Sequence, residues 1–314
     1  MVYVIGHKNP DTDSVVSAIC YAKYLGKNYI PAVLGGLNSE TKFVLNKFNI
    51  QEPILLTKLN KNDKVILVDH NEKLQSIDNL QDSQILEILD HHKINISLSN
   101  PIAITTKPYG SVASIVCEKF LESKKEINQK IAGLLLSAIL SDTIIFESPT
   151  TTELDKKFAS MLSKIIGIGD IAQYGMEMFK QRNDLLMKSN RDIIYSSFKE
   201  FDFSGKRIGI GQVELINSEG ILSREKEIIL EMRKMLEEMG LFSIIFMVTD
   251  ITTKGTFFWV TGHRKMIYNI LKVSKDKNYK QGILSRKKQV VPKLEEKLIL
   301  KQHKKIGKAV VSVI

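Results

Sequence analysis

Three short apolar runs, each ending in histidine and aspartate, most constrain what this chain can fold into. Residues 2–5 run into Gly6-His7, residues 65–68 into Asp69-His70-Asn71-Glu72, and residues 84–89 into Asp90-His91-His92. Continuous apolar runs of strand length, here 2–5 and 65–68, belong to strands buried on both faces, as in a parallel sheet, and 84–89 follows the same pattern with Glu87 interrupting it. Polar clusters at the carboxyl ends of such strands mark the edge where open α/β sheets bind ligands. Four of the six histidines, His7, His70, His91 and His92, lie there, each with an aspartate close by. The first cluster, Gly6-His7-Lys8-Asn9-Pro10-Asp11-Thr12-Asp13-Ser14, is the turn from a strand into a helix over 15–22. Taken alone, that turn is also readable as a capped helix start, with Asp11 or Thr12 as the N-cap.

The pattern then alternates strand (30–34) and helix (40–48), and later runs through helices at 111–121, 127–139, 153–166 and 171–179. It turns polar near 181–191 without a long Gly/Ser or Pro linker. We place a metal-binding catalytic domain at 1–187, a hinge at 188–194 and a smaller α+β domain at 195–314. The smaller domain alternates as strands over 197–203 and 207–214, pairs 243–248 with 256–260, and has helices at 225–239, 264–273 and from about Lys293.

Of the 314 residues, 43% are hydrophobic and 25% charged, as in a soluble globular protein. No apolar run reaches membrane-span length, and the chain enters a strand directly rather than through a leader, so no membrane association is expected. Cys20 and Cys117 both fall in apolar helical segments, which predicts buried free thiols and a cytoplasmic setting. The net charge of +10 is lopsided. Residues 1–194 hold 22 basic and 22 acidic side chains, whereas 195–314 hold 23 and 13. The second half is therefore suited to an anion, although most of its lysines read as solvated surface. Nucleic acid is disfavoured as that anion, because the basic half lacks the aromatic-interleaved stripe of single-strand binders.

Asp142 closes an apolar helix, where the negative end of the helix dipole disfavours a carboxylate unless a cation is near; the alternative is a cap for the segment 143–146. Imidazoles and carboxylates without thiolate suit two divalent metals, and imidazole shifts the choice from Mg²⁺ or Ca²⁺ toward Mn²⁺, Co²⁺, Zn²⁺ or Fe²⁺. Two such ions about 3.5–4 Å apart can share a water and lower its pKa, giving hydroxide for attack on a phosphate ester or anhydride.

The 6–14 motif, the Asp69-His70 strand end and the Asp90-His91-His92 triplet resemble those of the DHH phosphoesterase superfamily. Ser285-Arg286-Lys287-Lys288-Gln289-Val290-Val291-Pro292 resembles the C-terminal signature of the family II, manganese-dependent inorganic pyrophosphatases. The similarity spans essentially the whole chain, including 136–142 and 211–213. It implies an α/β protein: an N-terminal parallel-sheet DHH domain with helices on both faces, a smaller C-terminal α+β domain, and an active site in the cleft between them. It implies hydrolysis of inorganic pyrophosphate to two orthophosphates by a hydroxide bridging two Mn²⁺. Co²⁺ or Mg²⁺ are possible substitutes, and further Mg²⁺ arrives with the substrate. By the same resemblance His7 and Asp11 bind the first metal, Asp13, His91 and Asp142 the second, and Asp69 bridges both. His92, Lys199, Arg286 and Lys287 contact substrate, Lys199 by local context only, with Lys206 and Arg207 close by. His70 and Asp90 orient ligands. The resemblance also implies a homodimer and leaves no room for a regulatory nucleotide-binding insertion. The alternative within the superfamily is an exopolyphosphatase or other phosphoesterase. Oligonucleotide-cleaving members end in a glycine-rich, histidine-containing motif that this chain lacks.

Overall fold

The first apolar run forms β1 (Val2–Ile5), which turns through residues 6–11 into α1 (Thr12–Leu25). There follow β2 (Tyr29–Val33), α2 (Ser39–Lys47), β3 (Ile54–Leu55), β4 (Lys64–Val68), β5 (Ile85–Asp90) and β6 (Ala103–Thr106). Four helices come next, α3 (Val112–Glu122), α4 (Gln129–Asp142), α5 (Glu153–Ile166) and α6 (Ile171–Lys180). In this computed structural model the described residues are 1–274 and 278–299, at 183 and 184 for the backbone alone; residues 275–277 and 300–314 of the expected second domain lie outside them.

All six strands pair in parallel, in the order β3-β2-β1-β4-β5-β6. Side chains alternate across the sheet as the two-residue period requires. Val4, Ile66, Val68 and Leu89 face the helices, burying against Val16, Val116, Leu135 and Ile139. Tyr3, Ile5, Val65, Leu67 and Ile88 face the other way. There the expected helical layer reduces to 3-10 turns at Lys73–Gln75 and Asp82–Gln84, and the apolar cover comes from Leu56, Leu59, Ile77 and Leu80. Cys20 and Cys117 are buried free thiols in the helical layer.

Backbone packing divides the chain between Arg182 and Asn183, inside a 3-10 segment at Gln181–Met187. The second unit contains α7 (Asn190–Tyr195), β7 (Lys199–Asp202), β8 (Arg207–Leu215), α8 (Glu219–Leu222), α9 (Glu225–Glu238), β9 (Ser243–Asp250), β10 (Gly255–Gly262), α10 (Arg264–Leu271), β11 (Tyr279–Gln281) and α11 (Val291–Leu298). Its sheet runs β11-β10-β9-β8-β7, parallel at β8/β9 and antiparallel elsewhere. Ile244, Phe246 and Val248 bury against Ile228, Met232 and Met235, whereas Ile245 and Met247 bury against Ile267, Leu271 and Leu294. Residues 188–194, expected as a hinge, include most of α7, whose Ile193 and Ile194 are buried in this core. No helix among the described residues is long and apolar enough to cross a membrane.

Candidate metal centre

Gly6 sets the position of the first candidate ligand, His7. A Cβ there would fall 1.8 Å from Ser14 Oγ, so only glycine lets the strand end approach the first turn of α1 so closely. Ser14 Oγ accepts the His7 backbone N–H at 3.1 Å. His7 Nδ1 is 2.7 Å from the Lys8 carbonyl, and His91 Nδ1 is 2.9 Å from that of Tyr109. A carbonyl only accepts, so both rings carry their proton on Nδ1 and aim the Nε2 lone pair elsewhere. His7 Nε2 faces Asp11 Oδ2 at 3.4 Å and Asp69 Oδ2 at 3.3 Å. His91 Nε2 faces Asp69 Oδ1 and Asp142 Oδ2, each at 3.3 Å.

Lone pair facing carboxylate is repulsive unless a cation lies between. Donors each about 2.1 Å from one first-row ion stand about 3.0–3.4 Å apart at near-tetrahedral to octahedral angles, which matches these separations. Three overlapping sets have ligand atoms within 4.8 Å of one another: His7, Asp11 and Asp69; Asp13, His91 and Asp142; and Asp69, His91 and His92. Asp69 offers one oxygen to each of the two imidazoles. The donor chemistry fits two neighbouring divalent ions.

Two further candidate ligands, Asp11 and Asp13, are held by backbone and hydroxyl donors. Asp11 caps α1, accepting from Ser14 N at 3.0 Å. Asp13 is buried and accepts from Val112 N at 2.7 Å, Ala113 N at 3.0 Å and Ser17 Oγ at 3.1 Å. The N-terminus of α3 thus points at an anion, as helix dipoles favour. Burial, then the charges of Asp69, Asp142 and Asp11, push the Asp13 carboxyl well above its ordinary range. A dication among these groups would reverse that. Burial acts in the same sense on Asp69, but the His7, His91 and His92 rings facing it hold it well below its ordinary range. Asp69 also sits in the left-handed region at φ 61, a strain of about 1–3 kcal/mol of the kind concentrated at functional sites.

Asp142 is the last residue of α4, and three non-glycine residues in the left-handed region follow at Ile144, Ile145 and Phe146 (φ 52, 51 and 67). The expected element over 143–146 is this left-handed turn, and Thr143 Oγ1 accepts from Phe146 N inside it at 3.2 Å. Asp90 is directed at His92, accepting its ring Nδ1 at 2.8 Å and its backbone N at 3.1 Å. Its second oxygen takes Asn71 Nδ2 at 2.6 Å. His70 packs edge-on to His7 with its Nδ1 2.9 Å from the Val68 carbonyl, and burial lowers its pKa to about 4, leaving it neutral. Asn71, Ser17 and the α3 amides escape a sequence reading, because neither residue type nor spacing distinguishes them from ordinary turn and helix residues.

In the second unit Lys199, half-buried, opens β7 and pairs with Ile210. Arg286 donates to the Ile210 carbonyl at 2.9 Å and also to that of Ser197, which brings it beside the Lys199 strand. Arg286 and Lys287 begin a π-helical turn at Arg286–Val290. Gln212 steadies it, accepting from Arg286 N at 3.3 Å and donating to the Leu284 carbonyl at 3.0 Å. Gln212 lies in the 211–213 stretch noted above, but its role there is not readable from sequence.

Family models match at two places: the DHH family N-terminal domain over residues 1–139, and the DHHA2 domain over residues 176–297. A manganese-dependent inorganic pyrophosphatase of Methanocaldococcus jannaschii is 43% identical over 305 residues, covering 94% of this chain and 98% of that protein. One from Methanothrix thermoacetophila is 44% identical over 306 residues, covering 94% and 97%. A crystal structure assigned to the family II inorganic pyrophosphatases, from Methanococcus jannaschii, superposes with a TM-score of 0.89 at 43% identity, covering 95% of this chain and 99% of that one. With identity at that level over nearly the full length of both chains, and both domain models matched in order, the chain belongs to the manganese-dependent, family II inorganic pyrophosphatases of the DHH superfamily.

Proposed function

We propose that this chain hydrolyses inorganic pyrophosphate to two orthophosphates, with two Mn²⁺ resident in the centre formed by His7, Asp11, Asp13, Asp69, His91 and Asp142. The observation that carries the reading is Asp69, which turns one oxygen toward His7 and the other toward His91. When bound, paired divalent ions supply positive charge that acidifies a water and polarises phosphoryl oxygens. The side chains do the rest. Water adds to one phosphorus, the bond to the bridging oxygen breaks, and the second phosphate leaves. His92, oriented by Asp90, contacts the substrate. Lys199, Arg286 and Lys287 balance the charge that grows on the phosphoryl oxygens. Co²⁺ or Mg²⁺ substitute for Mn²⁺, and further Mg²⁺ accompanies the substrate. We place the protein in the cytoplasm as a homodimer. The two buried free thiols support a reducing compartment. The edge strand β6, with Ala103, Ile104 and Thr106 exposed, supports pairing between copies.

The test is phosphate release from pyrophosphate, tripolyphosphate, a long polyphosphate and a dinucleotide, each with Mn²⁺ and with Mg²⁺. Fast release from pyrophosphate, strongest with Mn²⁺, is the expected result. Equal kcat/KM for pyrophosphate and a long polyphosphate would promote the exopolyphosphatase reading instead.

A further inference from the structure

Several buried carboxylates lie outside the expected ligand set, Asp90, Asp155 and Glu40 among them. Glu40, in the first turn of α2, is 2% exposed. Its Oε1 accepts the hydroxyl of Thr12 at 2.6 Å and that of Ser141. Its Oε2 accepts Arg182 Nε, and Arg182 Nη2 reaches back to Ser141 Oγ at 3.1 Å. The guanidinium lies over the Phe179 ring, 3.8 Å from its centroid. A lone buried carboxylate would be expensive, and replacing such a pair by apolar side chains is often neutral or stabilising, so stability alone does not explain it.

Its position does. Thr12 stands between Asp11 and Asp13, and Ser141 immediately precedes Asp142. A single carboxylate oxygen therefore ties the N-terminal ligand segment to the end of α4. The other second-set ligands are pinned elsewhere: Asp13 by the α3 amides, His91 by the Tyr109 carbonyl. Asp142 is a third exposed, and the chain leaves it through a left-handed turn that offers no helical continuation.

We infer that Glu40, paired with Arg182, is a positioning residue that fixes Asp142 against Asp13 through Ser141 and Thr12, and so sets the affinity of the second metal position. The inference rests on the two-metal reading above.

The test is Mn²⁺ titration of the metal-free protein by calorimetry and electron paramagnetic resonance, with thermal melting of the same samples. Wild type should take two equivalents and show an exchange-coupled pair. In Glu40→Gln, Ser141→Ala and Thr12→Val the first equivalent should bind as in wild type. The second should weaken about 10–100-fold, the usual loss when a ligand's support is removed. The coupled signal should vanish at Mn²⁺ that saturates wild type and return when Mn²⁺ is raised by that factor. Folded variants that take both equivalents with wild-type affinity would overturn the proposal. So would equal weakening of both equivalents alongside a lowered melting temperature, which marks a general structural role. Should Glu40→Gln fail to fold, Ser141→Ala decides, since it deletes one hydroxyl and leaves the Glu40–Arg182 pair intact; its failure to fold also counts against the proposal. Wild type binding fewer than two equivalents would instead defeat the two-metal reading.

Discussion

Asp69 occupies a demanding position. Its backbone is left-handed, its side chain is buried, and its two oxygens serve different imidazoles. Asp69→Ala should remove a ligand shared by both sets at once. Turnover in saturating Mn²⁺ should therefore fall by more than the roughly 10–100-fold that follows loss of a residue merely orienting a ligand. Steady-state kinetics across a Mn²⁺ series checks this, and near-normal kcat at high Mn²⁺ is incompatible with the shared role. Arg286 is a different case, because its guanidinium already donates to two backbone carbonyls. Those bonds hold the planar head in one orientation, so in the proposed role little ordering would remain for binding a phosphoryl group. Arg286→Ala should lower kcat about 10²–10³-fold, as for a lost transition-state donor, as well as raise KM. An unchanged kcat with raised KM would assign it to ground-state binding alone.

The strand-to-helix turn at Gly6 is the element on which the placement of His7 and Asp11, the first candidate ligands, depends. Gly6→Ala forces a methyl group against Ser14 Oγ and, at 2.9 Å, against the Ser14 carbonyl. Urea unfolding should show a loss of about 1–3 kcal/mol, the usual range for overpacking. Adding Ser14→Gly should recover only part, since the carbonyl stays in the way. The cysteine helices make a separate prediction. Burial pushes the Cys117 thiol up to about 12 and Cys20 higher still, so thiolate is scarce at neutral pH. Alkylation followed by mass spectrometry should label neither thiol in the native protein and both after unfolding; a disulfide would contradict the reading. These elements also show what sequence makes legible. His7, Asp69, His91 and Asp142 stand out because each interrupts or ends an apolar run, and a charge there needs a reason. Glu40 does not stand out, because a glutamate in the first turn of an amphipathic helix looks like a favourable dipole partner facing water. Its partners Ser141 and Arg182 lie 101 and 142 residues away. The edge strands β3 and β6 were equally hidden, since Ile54, Leu55 and Ile104 are exposed and carry no burial periodicity. The second face of the sheet is expected to be helical from the resemblance, yet leucines and isoleucines in loops cover it.

At the scale of the whole chain, the acidic and basic groups balance through residue 194 and the entire +10 follows. A multiply charged anion approaching such a surface is steered by a field that salt screens, with a Debye length near 10 Å at about 0.1 M. Raising ionic strength with an inert salt should raise KM for pyrophosphate while leaving kcat nearly constant. A salt-independent KM would mean that the excess lysines play no part in capture. The bonds to Asp13 carry a consequence for how the protein is made. Its amide donors lie 99 and 100 residues downstream, and Asp142 comes later still. On the ribosome the histidine-aspartate motif emerges first and then waits through nearly half of translation for the segments that complete it. Contacts so distant in sequence form late in folding. A nascent chain therefore cannot complete the Asp13, His91 and Asp142 set until α4 has been made, so filling of both positions follows completion of that helix.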